Sequence, residues 1–169
     1  PVALTRPDEP RPITKRTKKT MDQALKELAE HLRDQLGDKL LADEVRLGEL
    51  MITVRRDAIV AVLKSLRDDS NCLFHQLMDI CGVDYADESP RFEIVYNLLS
   101  MTHNTRIRVK LRTDEDDPVP SVAGVFSTAN WFEREIWDMY GVFFSDHPDL
   151  RRLLTDYGFE GHPLRKDFP

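Results

Sequence analysis

The sequence contains few of the features that bind redox cofactors or cross membranes. It has two cysteines, Cys72 and Cys81, which are too few for an iron–sulfur cluster or for a zinc site made of cysteine alone. Its longest purely apolar run, residues 58–63, is six residues long, whereas a membrane-spanning helix needs about 20. We therefore expect no membrane-spanning segment and no cluster site in this chain.

Nucleotide-binding motifs are absent as well. The sequence has no glycine-rich phosphate loop, no dinucleotide fingerprint and no nucleophile elbow. With 24 Lys and Arg against 30 Asp and Glu, its net charge of −6 argues against a general nucleic-acid binder. We expect the chain to bind neither a nucleotide cofactor nor nucleic acid.

The soft metal ligands are few and poorly spaced. Cys72 lies three residues before His75 and nine residues before Cys81. In an extended strand, residues at odd spacings point to opposite faces. These side chains therefore do not converge on one ion, and we predict no metal site and no cofactor site.

The composition, 41% hydrophobic and 32% charged, is that of a globular domain with short arms. Residues 1–19 hold four prolines and six Lys or Arg against two acids, without an apolar period. This pattern predicts a flexible basic arm. Residues 20–141 are predicted to form the folded domain, and residues 142–169 an extended segment that docks on a partner.

Hydrophobic periods predict the elements of the domain. An apolar stripe at helical spacing begins after a Thr20 cap and ends at Gly37. Further helices are predicted after an Asp57 cap, over residues 121–126, and from an Asn130 cap to Gly141. Strands are predicted around residues 50–54, 73–83 (largely buried), 92–99 and 106–112. This order predicts an α+β fold: a mixed or antiparallel sheet with helices on one face, then an irregular C-terminal arm.

Four cations alternate with apolar residues along the last predicted strand: Arg106, Arg108, Lys110 and Arg112. We interpret them as the solvent face of an antiparallel edge region, where Lys and Arg discourage aggregation. The alternative is a surface that binds anions or nucleic acid. No interleaved aromatic residues supply stacking for that alternative.

The densest charged cluster lies on the helix predicted after Asn130. It comprises Glu133, Arg134, Glu135 and Asp138, and it flanks an apolar stripe of Phe132, Ile136 and Met139. Arg134 and Asp138 are four residues apart and can pair, while Glu133 can complete a capping box. Its three carboxylates suit proton transfer, a basic partner surface, or helix capping with a solvated face. The spacing leaves these three uses open.

Residues 142–169 have three prolines, two glycines and no sustained period, so they cannot build a core of their own. They are rich in aromatic residues and arginine, which anchor protein interfaces. His147 and His162 are expected to form hydrogen bonds within a docked loop. Arg151 and Arg152 are our first choices for pairing with a partner's carboxylates. We predict that neighbouring proteins order this segment more than its own domain does.

Several stretches near the C-terminus resemble a known family. They read ERE at 133–135, WDMYG at 137–141, HPDLRR at 147–152 and DYGF at 156–159, with further similarity in RFEIVYNLLS at 91–100 and RIRV at 106–109. The pattern resembles the C-subunit family of proton-pumping NADH-quinone oxidoreductase, respiratory complex I. The first twenty residues lie outside the resemblance.

The resemblance implies a structural subunit without redox chemistry of its own. It implies a place in the hydrophilic arm, beside the D subunit that shapes the quinone cavity and near the B subunit that bears a cluster. FMN and the iron–sulfur clusters would then belong to partner subunits, and the whole complex would transfer electrons from NADH to a quinone while pumping protons. The candidate partner-interface residues are Glu133, Arg134, Glu135, Asp138, His147, Arg151, Arg152, Asp156, Tyr157, Arg165 and Lys166.

The implied location is peripheral, on the cytoplasmic face of a bacterial inner membrane, with the matrix face of the mitochondrial inner membrane as the alternative. Two other functions stay open. One is the equivalent subunit of a related membrane-bound hydrogenase-type oxidoreductase. The other is a freestanding acid–base enzyme that uses Glu133, Glu135 and Asp138. Flavin, clusters and NADH oxidation that co-purify with the chain would support complex I, whereas a monomer with its own turnover would support the enzyme.

Overall fold

The computed structural model describes the backbone of residues 15–169 and the side chains from residue 22 onward. Within this range the helices are α1 (Lys15–Leu36), α2 (Ile59–Asp68) and α3 (Ala129–Tyr140). The strands are β1 (Leu40–Arg46), β2 (Glu49–Val54), β3 (Gln76–Asp84), β4 (Phe92–Ser100), β5 (Thr105–Thr113), β6 (Val119–Pro120) and β7 (Phe144–Ser145). The predicted α+β class is confirmed.

A mixed five-stranded sheet has the order β1-β2-β5-β4-β3. Strands β2 and β5 are parallel, and the other neighbouring pairs are antiparallel. The β5 strand is therefore the middle strand, so the predicted edge region for its cations is wrong. The parallel pairing needs a long crossover, which the local pattern of β5 does not reveal.

The core lies against one face of this sheet. Residues that pair directly across strands share a face, and the pairs Ile52–Val109 and Leu111–Ile94 are buried. Apolar residues of all three helices join the same core cluster. On the opposite face of β5, Arg108 and Lys110 form ion pairs with acids of β2 and β4. The predicted alternation of β5 is thus confirmed, with helices covering the apolar side.

The first helix extends further toward the N-terminus than its apolar stripe. It begins at Lys15, so the predicted start after Thr20 is wrong, and it ends at Leu36 as the predicted stop at Gly37 requires. Lysine and arginine have high helix propensity, which lets polar turns precede the buried stripe. Most of the basic arm predicted over residues 1–19 lies outside the described residues, and residues 15–19 belong to α1.

Three other local predictions differ from the structure. Asp57 does not cap α2; it lies in a 3-10 turn, where its carboxylate binds the Arg55 guanidinium at 2.6 Å. The third strand begins at Gln76, not at Leu73, because Leu73 has a φ of 47° and ends the extended path. It is also an edge strand with an exposed Met78, not a largely buried one. Residues 121–126 form turns, not a helix.

Candidate interaction surface on the third helix and the C-terminal segment

The third helix ends in a way that favours glycine strongly. Gly141 adopts a left-handed φ of 78°, and its N–H donates to the Trp137 carbonyl at 2.8 Å. A Cβ built there would lie 2.5 Å from Arg165 Nη2 and 2.6 Å from the His162 ring. The predicted stop at Gly141 is confirmed, and the same glycine lets the following chain pack against the helix end.

The C-terminal segment, residues 142–169, folds back over this helix end. The His162 ring binds the Asp138 carbonyl at 3.0 Å, the Leu164 N–H donates to the Met139 carbonyl at 3.1 Å, and Arg165 donates to the Tyr140 carbonyl at 2.6 Å. The last carbonyls of a helix have no partner within the helix. The segment therefore supplies the hydrogen bonds that α3 lacks.

Asp138 is the strongest anchor between the helix and the segment. Its Oδ2 accepts the N–H groups of residues 153–155 at 2.9, 2.7 and 3.0 Å, and its Oδ1 accepts the Thr155 hydroxyl at 2.6 Å. Burial alone would raise the pKa of this carboxyl, but these hydrogen bonds outweigh burial and hold the pKa of Asp138 well below its usual range. The fully buried Asp138 carboxylate thus stays charged and fixes the backbone of residues 153–155.

Arg152 completes the anchor within the chain. Its guanidinium donates to Asp138 Oδ1 at 2.9 Å and to the Gly161 carbonyl at 3.0 Å. It also lies 5.8 Å from the Trp137 ring centroid and 5.9 Å from that of Phe159. Arg152 therefore binds its own chain instead of standing free for a partner.

The predicted pair between Arg134 and Asp138 is wrong. Arg134 donates to the carbonyls of Arg151 and Arg152 at 3.0 and 3.2 Å. Asp138 is fully buried, and five donors from the segment saturate it. Spacing along one helix does not reveal donors that arrive from a later loop, so sequence reasoning missed this partner set.

Glu133 is a second fully buried carboxyl, on the same helix. It accepts the Ser121 hydroxyl at 2.6 Å and the Val122 N–H at 2.7 Å. The helix already begins at Ala129, so the predicted Asn130 cap and its capping box with Glu133 are wrong. Burial raises the pKa of Glu133 to about 7, although both hydrogen bonds partly oppose the shift. The buried His147 ring lies 3.8 Å away and binds the Asn130 carbonyl. This carboxyl joins α3 to the turns before it.

These positions separate the three carboxylates that were candidates for acid–base chemistry. Glu133 and Asp138 have no exposed surface, whereas Glu135 is exposed. A substrate cannot reach the first two without unfolding their loops. The arrangement favours internal bracing over proton transfer to a bound substrate.

A second ionic anchor holds the end of the segment. Arg91 binds Asp84 with two bonds of 2.7 and 2.8 Å and Asp167 with bonds of 3.2 and 2.6 Å. The Lys166 N–H donates to Asp84 at 2.7 Å, and Arg165 pairs with Glu115 at 3.1 Å. Asp84 raises the pKa of Arg91 further above its usual range, chiefly through their hydrogen bonds. Sequence reasoning missed Arg91 and Asp84, because their partners in the segment are far along the chain: Asp167 lies 76 residues from Arg91, and Lys166 lies 82 residues from Asp84.

With the polar groups so occupied, several apolar side chains of this region remain exposed. They are Trp131, Phe143, Leu154, Tyr157, Phe159 and Leu164. Among the predicted interface residues, Arg151 is 72% exposed and its guanidinium pairs with Asp149, and Glu135, Asp156, Tyr157 and Lys166 are exposed too. The sequence prediction did not include these internal anchors. It assigned the ordering of this segment to contacts with neighbouring proteins.

The structure brings one set of metal-ligating side chains together. Within residues 22–169, His31, Asp69 and Cys72 have ligand atoms that all lie within 4.8 Å of one another. His75 and Cys81, the other soft ligands near Cys72 in the sequence, are exposed and do not join this group. None of the described helices is both long and apolar enough to span a bilayer.

Comparison with known proteins gives consistent matches. The family model "Respiratory-chain NADH dehydrogenase, 30 Kd subunit" matches residues 52–169. The C subunit of NADH-quinone oxidoreductase from Paramagnetospirillum magneticum is 63% identical over 150 residues, covering 88% of this chain and 75% of that protein. The protein of the same name from Rhodospirillum rubrum is 60% identical over 147 residues, covering 87% of this chain and 69% of its own length.

The fold is also similar to a chain in a solved respiratory assembly. That structure is of the membrane-bound sulfane sulfur reductase, an archaeal respiratory membrane complex. The match has a TM-score of 0.73 and 26% sequence identity, and it covers 85% of both chains. The similarity therefore extends over most of this chain.

Proposed function

This chain belongs to the 30 kDa subunit family of respiratory-chain NADH dehydrogenase, and we propose that it acts as a bracing subunit within that enzyme's complex. Its relatives are named as the C subunit of NADH-quinone oxidoreductase. The reaction belongs to the complex, which transfers electrons from NADH to a quinone. The part played by this chain is to hold its neighbours in position.

The double anchoring of the C-terminal segment is the observation that carries the bracing role. Asp138 binds the segment at residues 152–155, and Arg91 binds its end at Asp167. Both contacts are charge-assisted hydrogen bonds. These bonds fix a long irregular chain that has almost no regular structure of its own. A rigid segment with aromatic residues on its surface loses little conformational entropy when a partner docks.

The same geometry supports a subunit without catalytic chemistry. Its buried carboxyls are committed to internal hydrogen bonds, and its sequence holds two cysteines, half the number that ligates an iron–sulfur cluster. The redox cofactors are then bound by the partner subunits. The purified chain is expected to be colourless, and stoichiometric visible absorption from a flavin or a cluster would contradict this.

The proposed neighbours are the D subunit that shapes the quinone cavity and the cluster-bearing B subunit. Membrane association then occurs through the complex, on the cytoplasmic face of a bacterial inner membrane. The relatives are bacterial proteins, which favours a bacterial membrane over the mitochondrial alternative. The docking residues are proposed to be the exposed aromatic ones together with Arg151.

The second candidate is the equivalent subunit of a membrane-bound oxidoreductase that does not use NADH. The similarity to the archaeal sulfane sulfur reductase chain favours this alternative. Its 26% identity is far below the 63% shared with the Paramagnetospirillum protein, so the NADH-linked complex is the better supported function.

Affinity purification of the tagged chain in mild detergent tests the proposal. We expect a large complex that oxidises NADH, reduces a quinone, and contains flavin and iron–sulfur clusters. A complex with clusters but without flavin or NADH oxidation would favour the second candidate. A chain that purifies alone and turns over a substrate would contradict both.

A further inference from the structure

A separate polar cluster lies where α1 meets the loop after α2. This loop, residues 69–75, is called the α2–β3 loop. His31 Nε2 lies 2.7 Å from Asp69 Oδ2, and Cys72 Sγ is within 4.8 Å of the ligand atoms of both residues. His31 comes from α1, whereas Asp69 and Cys72 come from the loop. Two distant parts of the chain thus present three different ligand atoms to one point.

The loop holds its two ligands in place by its own backbone. The N–H groups of Cys72 and Leu73 donate to the Asp69 carbonyl at 3.0 and 2.9 Å, and Phe74 donates to the Leu66 carbonyl at 2.9 Å. Asp69 Oδ1 accepts the Asn71 N–H at 2.7 Å. This bond uses Oδ1 and leaves Oδ2 directed at His31. The ligand positions are therefore set by the fold and do not depend on an ion.

The donor types are those of a borderline-soft cation. Imidazole nitrogen, thiolate sulfur and carboxylate oxygen are the ligands that bind Zn²⁺. Two negative ligands and one neutral ligand would neutralise a divalent charge. An oxygen-binding cation such as Mg²⁺ fits less well, because it prefers an all-oxygen shell.

A nucleophilic role for Cys72 does not fit its surroundings. The side chain is almost fully buried, and burial raises the pKa of its thiol to about 12. A reactive cysteine needs a lowered pKa and access to its target. His31 also directs Nε2 at Asp69, so the pair is not arranged to accept a proton from the thiol.

We propose that His31 Nε2, Asp69 Oδ2 and Cys72 Sγ bind one divalent cation of the zinc class. Water, or the oxygen of the Gln35 amide after that amide turns over, completes a tetrahedral shell. Gln35 already reaches Asp69 Oδ2 at 2.6 Å, and His31 is partly exposed, which gives an ion a route in. This site is independent of the C-terminal anchors and of the proposed function. It also departs from the absence of a metal site that the sequence predicted.

Binding has a defined proton balance. The Cys72 thiol loses its proton when sulfur bonds to the cation. His31 binds through the lone pair of Nε2, so any proton on Nε2 moves to Nδ1 or to solvent. Asp69 binds as the carboxylate, through Oδ2. Binding of one cation therefore releases at least the thiol proton.

The bound ion would link α1 to the α2–β3 loop. His31 and Asp69 are 38 residues apart, and at present one hydrogen bond joins them. Replacing that bond with three metal bonds makes separation of α1 from the rest of the core less favourable. Hydrogen exchange in the second half of α1 should slow when Zn²⁺ is added.

Calorimetric titration of the full chain, first treated with a chelator, tests the site. We expect one Zn²⁺ per chain, and titrations in buffers of different ionisation enthalpy should detect proton release, because the Cys72 thiol is deprotonated on binding. Co²⁺ should give a sulfur-to-metal charge-transfer band in the near ultraviolet. Absence of binding, or a Co²⁺ spectrum without a sulfur band, would overturn the proposal.

Matched variants separate this site from other surface ligands. Cys72→Ser and His31→Gln should each weaken binding by at least about tenfold and remove or alter the Co²⁺ band. Cys81→Ser and His75→Ala change the neighbouring soft ligands and should leave binding unchanged. His31→Gln keeps a hydrogen-bond donor for Asp69, so it should fold, which circular dichroism without metal can verify. Undiminished binding in a folded His31→Gln chain would overturn the assignment.

Discussion

Individual side chains of α3 divide into internal anchors and free groups. Asp138 and Glu133 are fully buried on this helix, and Glu135 is exposed beside them. The sequence presents all three as one acidic cluster. Only the folded chain distinguishes a carboxylate that binds three backbone N–H groups from one that faces water.

Asp138→Asn should strongly destabilise the protein. The amide nitrogen would face donors that now bind an oxygen, leaving buried N–H groups without an acceptor. We expect a loss of about 3–5 kcal/mol in the free energy of unfolding, measured by urea denaturation. The control Asp149→Asn removes the exposed partner of Arg151 and should cost less than about 1 kcal/mol. Equal effects for the two variants would contradict the anchor.

Glu133 should make stability depend on pH in an unusual direction. Burial raises its pKa from 4.5 to about 7, so the folded chain holds this proton at pH values where the unfolded chain has lost it. The contribution is full below pH 4.5, falls as pH rises toward 7, and stays low above that. The total loss would be at most about 3 kcal/mol.

The matched variants Glu133→Gln and Glu135→Gln test this pH dependence by denaturation at several pH values. Glu133→Gln should flatten the decline between pH 4.5 and 7, because glutamine has no proton to lose. Because Glu135 is exposed, Glu135→Gln should leave the decline of stability with pH unchanged. A decline that persists in Glu133→Gln would place its origin in another group.

The two neighbouring arginines should separate stability from docking. Arg152→Ala removes bonds to Asp138 and Gly161, and it should lower the thermal stability of the free chain. Arg151→Ala removes an exposed pair, so the free chain should keep its stability while assembly of the complex is impaired. Calorimetry measures the first effect and native electrophoresis the second. The reverse pattern would assign Arg151 to the fold and Arg152 to the partner.

At the scale of elements, regular patterns were predictable and long-range pairing was not. The alternation of β5 and the helical stripe of α1 both appear in the sequence because one face of each is buried. The first strand was missed, since it has little apolar alternation and its side chains are mostly exposed or half-buried. The parallel pairing of β2 with β5 depends on the whole topology.

The end of α3 offers a test at this scale. Gly141→Ala combines left-handed strain with a clash against Arg165 and His162, and it should cost more than about 2 kcal/mol. Gly158→Ala has the same φ of 78° with nothing within 4 Å, so it isolates the backbone strain. Gly124→Ala has neither a positive φ nor a close contact and should be nearly neutral. Similar losses for Gly141→Ala and Gly158→Ala would show that the close packing of the segment contributes little.

At the scale of the whole molecule, the resemblance read from the sequence is confirmed by the family match over residues 52–169. Several of the motif residues between 133 and 159 build the anchors of the C-terminal segment. Which exposed residues contact which neighbour was not predictable from them. A sequence determines the hydrogen bonds within its own chain. It gives less information about contacts with other subunits, because the surfaces of those subunits are encoded in other sequences.

Hydroxyl-radical footprinting of the free chain and of the assembled complex tests the docking surface most directly. We predict that the exposed Trp131, Phe143 and Tyr157 react readily in the free chain and become protected in the complex. Buried Tyr96 should react slowly in both and serves as the internal control. Equal reactivity of the three exposed residues in both states would contradict the claim that this surface holds the neighbouring subunits.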